Sequence, residues 1–354
     1  MRYSLKEEIK NFSFVLPALS IFFFFYVIPF IYTFFLALHQ GSGLSSLKFV
    51  GLANFRRLLS PQGTAIIAIF IGGILIVFPF WLRGKIKNRF LKIVKAVSII
   101  AGVICIIYGI KELKEALSSG WMIDKEWWAS VGRSFYITLW ALTFQNLLAF
   151  TLALCVDKAI RTGQIYRAIF FLLPVISEII FGLLIRSLLL PYPGVLAHFL
   201  KRWGLENLVR DWLNDPRYAL TTLAFVHCWR GFGWGFVILL AGLQTIPQTL
   251  YEAARIDGAG AWQRFTKITF PLMLPVIVLV VILTILGTVQ VIGLPMVLTR
   301  GGPAGKTTVS VLRIYNDLKN YHAGYASCEG IVLGIILITL SFILLKISNR
   351  IKKT

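Results

Sequence analysis

Eight runs of about twenty apolar residues constrain this chain more than any other feature of its sequence. They are Phe14–Leu38, Thr64–Leu82, Ile93–Ile110, Ser134–Val156, Ala168–Leu190, Leu220–Leu243, Pro271–Ile292 and Ala326–Ile347. A run of that length covers about 30 Å of hydrocarbon when helical. A backbone in lipid must satisfy its own hydrogen bonds, so each run is read as a helix. Composition points the same way: 57% of the 354 residues are hydrophobic and 14% are charged, with a mean hydropathy of +0.78. A soluble domain has about a quarter of its residues charged. A water-soluble enzyme, a disordered chain and a collagen-like chain are therefore excluded. The first run is too long and too aromatic (Phe22 to Phe25) for a signal peptide, and no small-residue cleavage site follows it. It is expected to remain in the mature protein. The third run is short and flanked by Lys92 and Lys95, which must snorkel if it spans. The predicted fold class is an all-α polytopic membrane protein with about eight transmembrane helices.

Charge gives the orientation. The formal balance is +21, from 36 Lys and Arg against 15 Asp and Glu. In a soluble chain that excess suggests nucleic acid, but in one this apolar it suggests basic loops at an anionic membrane face. No nucleic-acid partner is expected. With both termini cytoplasmic, the inner segments hold 19 Lys and Arg and the outer loops 15. The densest run, Arg83-Gly84-Lys85-Ile86-Lys87-Asn88-Arg89, then lies inside. The four cysteines are dispersed and form no CxxC pair. The four histidines have no metal-ligand spacing, and no Ser/His/Asp or paired-carboxylate set argues for catalysis. No metal and no cofactor are expected in this chain.

The stretch Gln244–Phe270 is a cytoplasmic, amphipathic loop on this topology. Pro247 suits the first turn of a short helix, Glu252-Ala253-Ala254-Arg255 continue it, and Gly258 or Gly260 ends it. A second short helix is expected from Ala261 to Ile268. Small residues at Ala253, Ala254 and Gly258 let another protein approach closely, and Glu252 offers a charge for a basic partner residue.

Glu252-Ala253-Ala254-Arg255-Ile256-Asp257-Gly258, followed by Ile268-Thr269-Phe270-Pro271, resembles the EAA loop of binding-protein-dependent ABC importer permeases. The spacing from acid to glycine to proline matches throughout, and Phe270 is the one departure, where leucine is usual. Trp229-Arg230-Gly231-Phe232-Gly233, Leu298-Thr299-Arg300-Gly301-Gly302-Pro303-Ala304 and Gly324-Tyr325-Ala326-Ser327 resemble stretches of the maltose-transporter-type sugar permeases. Gly51-Leu52-Ala53-Asn54-Phe55 is similar to the segment after that family's first helix. The resemblance covers about 12–60 and 125–347.

The resemblance implies a six-helix type I importer core plus two inserted helices. The expected organisation is 1–62 for the N-terminal tail, first helix and outer loop, and 63–124 for the inserted pair. Then come 125–347 for the permease core, with its EAA loop at 244–270, and 348–354 for a basic tail. It implies ATPase coupling through Glu252, Ala253, Ala254, Asp257 and Gly258. Implied partners are a second homologous permease subunit, two cytoplasmic ATPase subunits that bind ATP and Mg, and an extracytoplasmic binding protein. The implied substrate is a sugar or oligosaccharide, moved into a bacterial or archaeal cell across its cytoplasmic membrane.

Polar residues within spans are costly and so are functional candidates. Trp140, Gln145, Asn146, Glu178, Trp229, Arg230, Trp234 and Gln290 are the candidate substrate-path residues, with interhelical hydrogen bonding as their competing role. Glu178 and Arg186, eight residues apart, lie on one helix face. Gly305-Lys306-Thr307 ends like a phosphate-binding loop, but position 300, where that loop needs glycine, is Arg300. Two other classes compete. An ion-coupled secondary transporter leaves the EAA loop unexplained, and a membrane enzyme lacks a catalytic set. A permease for another solute, such as polyamine or phosphate, shares the loop.

Overall fold

The computed structural model describes residues 15–41, 47–58, 124–157, 163–191 and 194–352, with isolated helical positions between 99 and 110. Among these, five helices are long and apolar enough to cross a membrane, and a bent pair makes a sixth if counted as one span. The expected eight are not reached among the described residues. The inserted run Thr64–Leu82 lies outside them, and Ile93–Ile110 is only partly within. The chain divides into two compact units, Met1–Leu59 with Ile314–Ile335 and Ser60–Arg313 with Ile336–Thr354.

In the first unit, α1 (Val15–Ala37) has none of its apolar window buried. Pro29 lacks the N–H that would continue the ladder, and the preceding turn, Phe23–Val27, widens to π spacing. A two-residue antiparallel ladder follows, β1 (His39–Gln40) on β2 (Lys48–Phe49). α2 (Ala53–Leu58) then returns to the end of α1. There Asn54 Nδ2 donates to the carbonyls of Ala37 (2.8 Å), which the helix end leaves open, and of His39 (3.1 Å) in β1. The Arg57 guanidinium lies over the Tyr325 ring at 4.9 Å. Gly324 packs against the His39 carbonyl so closely that no Cβ fits, which is why glycine precedes that tyrosine.

The second unit carries the bundle. α3 (Lys125–Asp157) is capped by Asp124, whose Oδ1 accepts from Trp127 N–H at 2.9 Å. A π turn, Ala141–Gln145, interrupts it midway. The single span expected at Ala168–Leu190 is broken into α4 (Gly163–Val175) and α5 (Glu178–Leu189), bent by 95°. The cause is Pro174, which frees the Phe170 carbonyl and strains the ladder before Ile176 and Ser177. α6 (Val195–Arg202) is short and amphipathic. α7 (Ala219–Gln244) is the central helix. α8 (Gln248–Ile256) and α9 (Ala261–Arg264) form the loop, and a π turn, Phe265–Thr269, leads into α10 (Phe270–Val289). α11 (Gly293–Leu298) follows; of α12 (Ser310–Lys319) and α13 (Ala323–Lys352), the stretch Ile314–Ile335 belongs to the first unit and the rest to the second.

Glycines set how α7 packs. Cβ atoms at Gly231 and Gly235 would lie 2.6 Å from Gln145 Oε1 and 3.3 Å from the Ala149 methyl, both on α3. One at Gly233 would overlap the Phe170 carbonyl and Pro174 of α4. Close backbone approach between small residues is a main source of helix association in lipid. Ala149, Ala153, Phe236, Leu239 and Met273 fill the resulting core. A second cluster gathers Ile137, Leu223, Leu294, Leu298 and Val309.

The turn-rich loop is tied down by side chains. Thr307 Oγ1 donates to the Gly302 carbonyl (2.6 Å), and Arg133 Nη1 donates to that of Thr308 (3.1 Å). Arg313 pairs with Asp124 (3.2 Å) and Glu126 (3.4 Å).

Candidate functional site

The loop between α7 and α10 is built around a C-terminal cap. α8 ends in two reciprocal bonds: Ala259 N–H donates to the Ala254 carbonyl (2.8 Å) and Gly258 N–H to that of Arg255 (3.1 Å). This 6→1 and 5→2 pattern needs a left-handed residue at the position after the cap. Gly258 has φ +73°. The glycine six residues after Glu252 is thus a backbone requirement. Tyr251 OH shares a hydrogen bond of 2.9 Å with Thr269 Oγ1, fixing α8 on the foot of α10. Gln263 Oε1 accepts from Gly260 N–H at 3.0 Å and starts α9.

The outward face of this loop carries Glu252, Ala253, Asp257 and Gly258, all exposed, with Ala254 half-buried. Ile256 is 88% exposed and Trp262 74% exposed. Sequence reasoning selected the acid and small residues and passed over these two. Their signal was present: apolar side chains on the polar side of an amphipathic loop.

The candidate substrate-path residues separate into two places. Trp140 and Trp229 line one cavity of about 630 Å³. Its walls are almost wholly apolar, including Phe181 and Ile185 of α5 and Phe225 of α7, with Tyr218, Thr221 and Thr222 also at its edge. Tyr218, Thr222, Phe225 and Trp229 recur at helical spacing, a stripe that the sequence held but that polarity alone did not pick out.

Gln145 and Asn146 of α3 and Arg230 of α7 lie outside that cavity, each beside its own neighbours. Thr284 Oγ1 donates to Asn146 Oδ1 at 3.0 Å, and Arg230 Nη2 to the Ile176 carbonyl at 3.1 Å. His227 shares a 3.1 Å hydrogen bond with Thr288. Gln145 Oε1, Asn146 Nδ2 and Arg230 Nε are buried with no hydrogen-bond partner among the described residues. A buried polar group left without a hydrogen bond costs about 1–3 kcal/mol. Glu178, Trp234 and Gln290 lie elsewhere. Glu178 Oε1 accepts from Leu294 N–H at 2.9 Å. Trp234 is exposed on α7, and Gln290 ends α10. None of these three lines the cavity.

Fold and site together define a polytopic α-helical membrane transport component. The chain belongs to the family described as "Binding-protein-dependent transport system inner membrane component", whose profile matches residues 116–352. It is 35% identical over 192 residues to "Probable ABC transporter permease protein YurN" of Bacillus subtilis, covering 54% of this chain and 66% of that one. It is 30% identical over 226 residues to "Trehalose/maltose transport system permease protein MalF" of Thermococcus litoralis, covering 64% and 76%. To "sn-glycerol-3-phosphate transport system permease protein UgpA" of Agrobacterium fabrum it is 32% identical, covering 55% and 66%. The match to YurN spans a little under two thirds of that relative's length. Among solved structures, a chain of a bacterial alginate ABC transporter, crystallised with an alginate pentasaccharide-bound periplasmic protein, superposes with a TM-score of 0.59. That match has 22% identity and covers 75% of this chain and 96% of that one. It carries the fold.

Proposed function

We propose that this chain is one transmembrane permease subunit of a type I ABC importer that moves a sugar or oligosaccharide into the cytoplasm. The observation that carries the reading is the exposed α8, an acid-tipped helix closed by a left-handed glycine and flanked by the outward Ile256 and Trp262. A surface of that make-up has no purpose on a chain that works alone. Its partner is a cytoplasmic ATPase subunit, which binds ATP and Mg. Two such subunits, a second homologous permease and an extracytoplasmic binding protein complete the complex, and both termini of this chain are cytoplasmic.

ATP closure of the ATPases pulls on α8 and turns the helices that follow it. Access to the cavity then passes from one membrane face to the other, because the two states differ in their contacts with the docked motor. Solute rings pass over the faces of Trp140 and Trp229, and hydroxyls find the spare hydrogen-bonding groups of Gln145, Asn146 and Arg230. The names of the relatives above, for maltose, trehalose and sn-glycerol-3-phosphate, support a sugar or sugar-phosphate cargo.

The test is Glu252→Lys in the reconstituted complex. ATP-driven sugar uptake is expected to vanish while membrane insertion stays normal. Uptake at the unmodified rate would refute the docking role.

A further inference from the structure

Three charged side chains tie α5 and the bend before it to neighbouring elements, and two of them grip α11. Glu178, the first residue of α5, accepts from Leu294 N–H at the start of α11. Arg186, in the last turn of α5, donates Nη1 to the Val297 carbonyl at the end of α11, at 3.3 Å. The two helices therefore run parallel. Parallel neighbours bring like dipole ends together, which is unfavourable without compensating charge. Here the acid sits at both N-termini and the arginine at both C-termini, so each side chain offsets two dipoles. Contact is close: a Cβ on Gly293 would lie 2.8 Å from Glu178 Cδ, and one on Gly182 would lie 3.3 Å from Val297 Cγ1.

Both helices begin directly after a break, at Ile176–Ser177 for α5 and at Gln290–Ile292 for α11. The third charge, Arg230 of α7, bonds the Ile176 carbonyl at the first of these breaks. On its other face α5 presents Phe181, Ile185 and Leu188, at helical spacing, to the cavity of Trp140 and Trp229.

We infer that Glu178 and Arg186 are positioning residues: they lock α5 and α11 into one block, hinged at the two breaks, whose inner face is a movable wall of the solute cavity. The role of the cavity rests on the transport reading; the block and its hinges do not.

The test uses spin-label pairs in the reconstituted complex, with and without ATP. One pair, Leu184 with Met296, lies inside the block; Ile169 with Leu184 and Leu283 with Met296 each span a break. The expected result is an unchanged distance inside the block and a changed distance across at least one break. Glu178→Gln combined with Arg186→Met should broaden the Leu184–Met296 distribution. It should also raise the half-saturating sugar concentration about three- to tenfold, the effect of losing about 1 kcal/mol of positioning, with maximal uptake nearly retained. Arg186→Lys alone, which keeps a donor, should restore the narrow distribution. A Leu184–Met296 distance that shifts with ATP, or three distances that all stay fixed while uptake proceeds, overturns the proposal. So does a double variant that lowers only the maximal rate. If the unmodified complex shows no ATP-driven uptake, the transport reading fails. The block is then judged on widths: a Leu184–Met296 distribution as broad as those across the breaks overturns it.

Discussion

At the residue scale, glycine does two different jobs, and substitution separates them. Gly233 faces a backbone carbonyl and a proline ring, neither of which can yield. Gly233→Ala is expected to cost about 1–3 kcal/mol through overpacking. Gly287, in the same bundle, has open space at its Cβ position, and Gly287→Ala should cost nothing and gain up to about 1 kcal/mol. Thermal unfolding of the two purified variants in one detergent compares them directly. Gly258 is limited by its backbone and not by space, since nothing lies within 4 Å of its Cβ position. A left-handed alanine costs about 1–2 kcal/mol. Gly258→Ala should therefore lower uptake, and Gly258→Asn, which tolerates that conformation better, should recover part of it. Equal uptake in both variants would argue against the cap geometry. This glycine was legible from the sequence as part of a spaced motif. Gly233 was legible only as part of Trp229-Arg230-Gly231-Phe232-Gly233; its packing on the Phe170 carbonyl was not, because nothing local marks that contact.

At the element scale, the sequence located the helices well and their interruptions poorly. Apolar periodicity found α7 to within a residue at each end, since a helix buried on most sides reads as an unbroken apolar run. The same signal merged α4 and α5 into one span, because hydrophobicity does not report the bend that Pro174 imposes. It also left α11 inside a loop of turn formers: a six-residue helix held by distant Glu178 and Arg186 has too little local signal of its own. The spacing of Glu178 and Arg186 places them on one face, and the structure sets that face against the two ends of α11. The start of α3 offers a test. Asp124 both caps the helix and pairs with Arg313. Asp124→Ala should lower the unfolding temperature, with a cap loss of about 1 kcal/mol. Asp124→Asn, which keeps the cap and loses the charge, should fall between the two. An Asn variant as unstable as the Ala variant would place the whole effect in the ion pair.

At the scale of the whole molecule, composition decided the class and one loop decided the family. Apolar content left a membrane bundle as the remaining option, and the acid, alanine and glycine spacing pointed to the family that the profile match shows. The aromatic cavity and the polar cluster were only half legible, because their residues come from helices far apart in sequence. A further consequence concerns nucleotide. Gly305-Lys306-Thr307 sits in a loop where Gly305 has φ +72° and where position 300 is arginine. Equilibrium dialysis of the isolated chain against labelled ATP should detect no specific binding, and saturable binding would reopen that assignment.

The alternating glycines of α7 bear on how force travels. Gly231 and Gly235 seat it on α3, Gly233 seats it on α4, and only Thr245, Ile246 and Pro247 separate its end from α8. A shaft wedged between two neighbours cannot twist by itself: any torque applied at its foot drags both flanking helices along in one stroke.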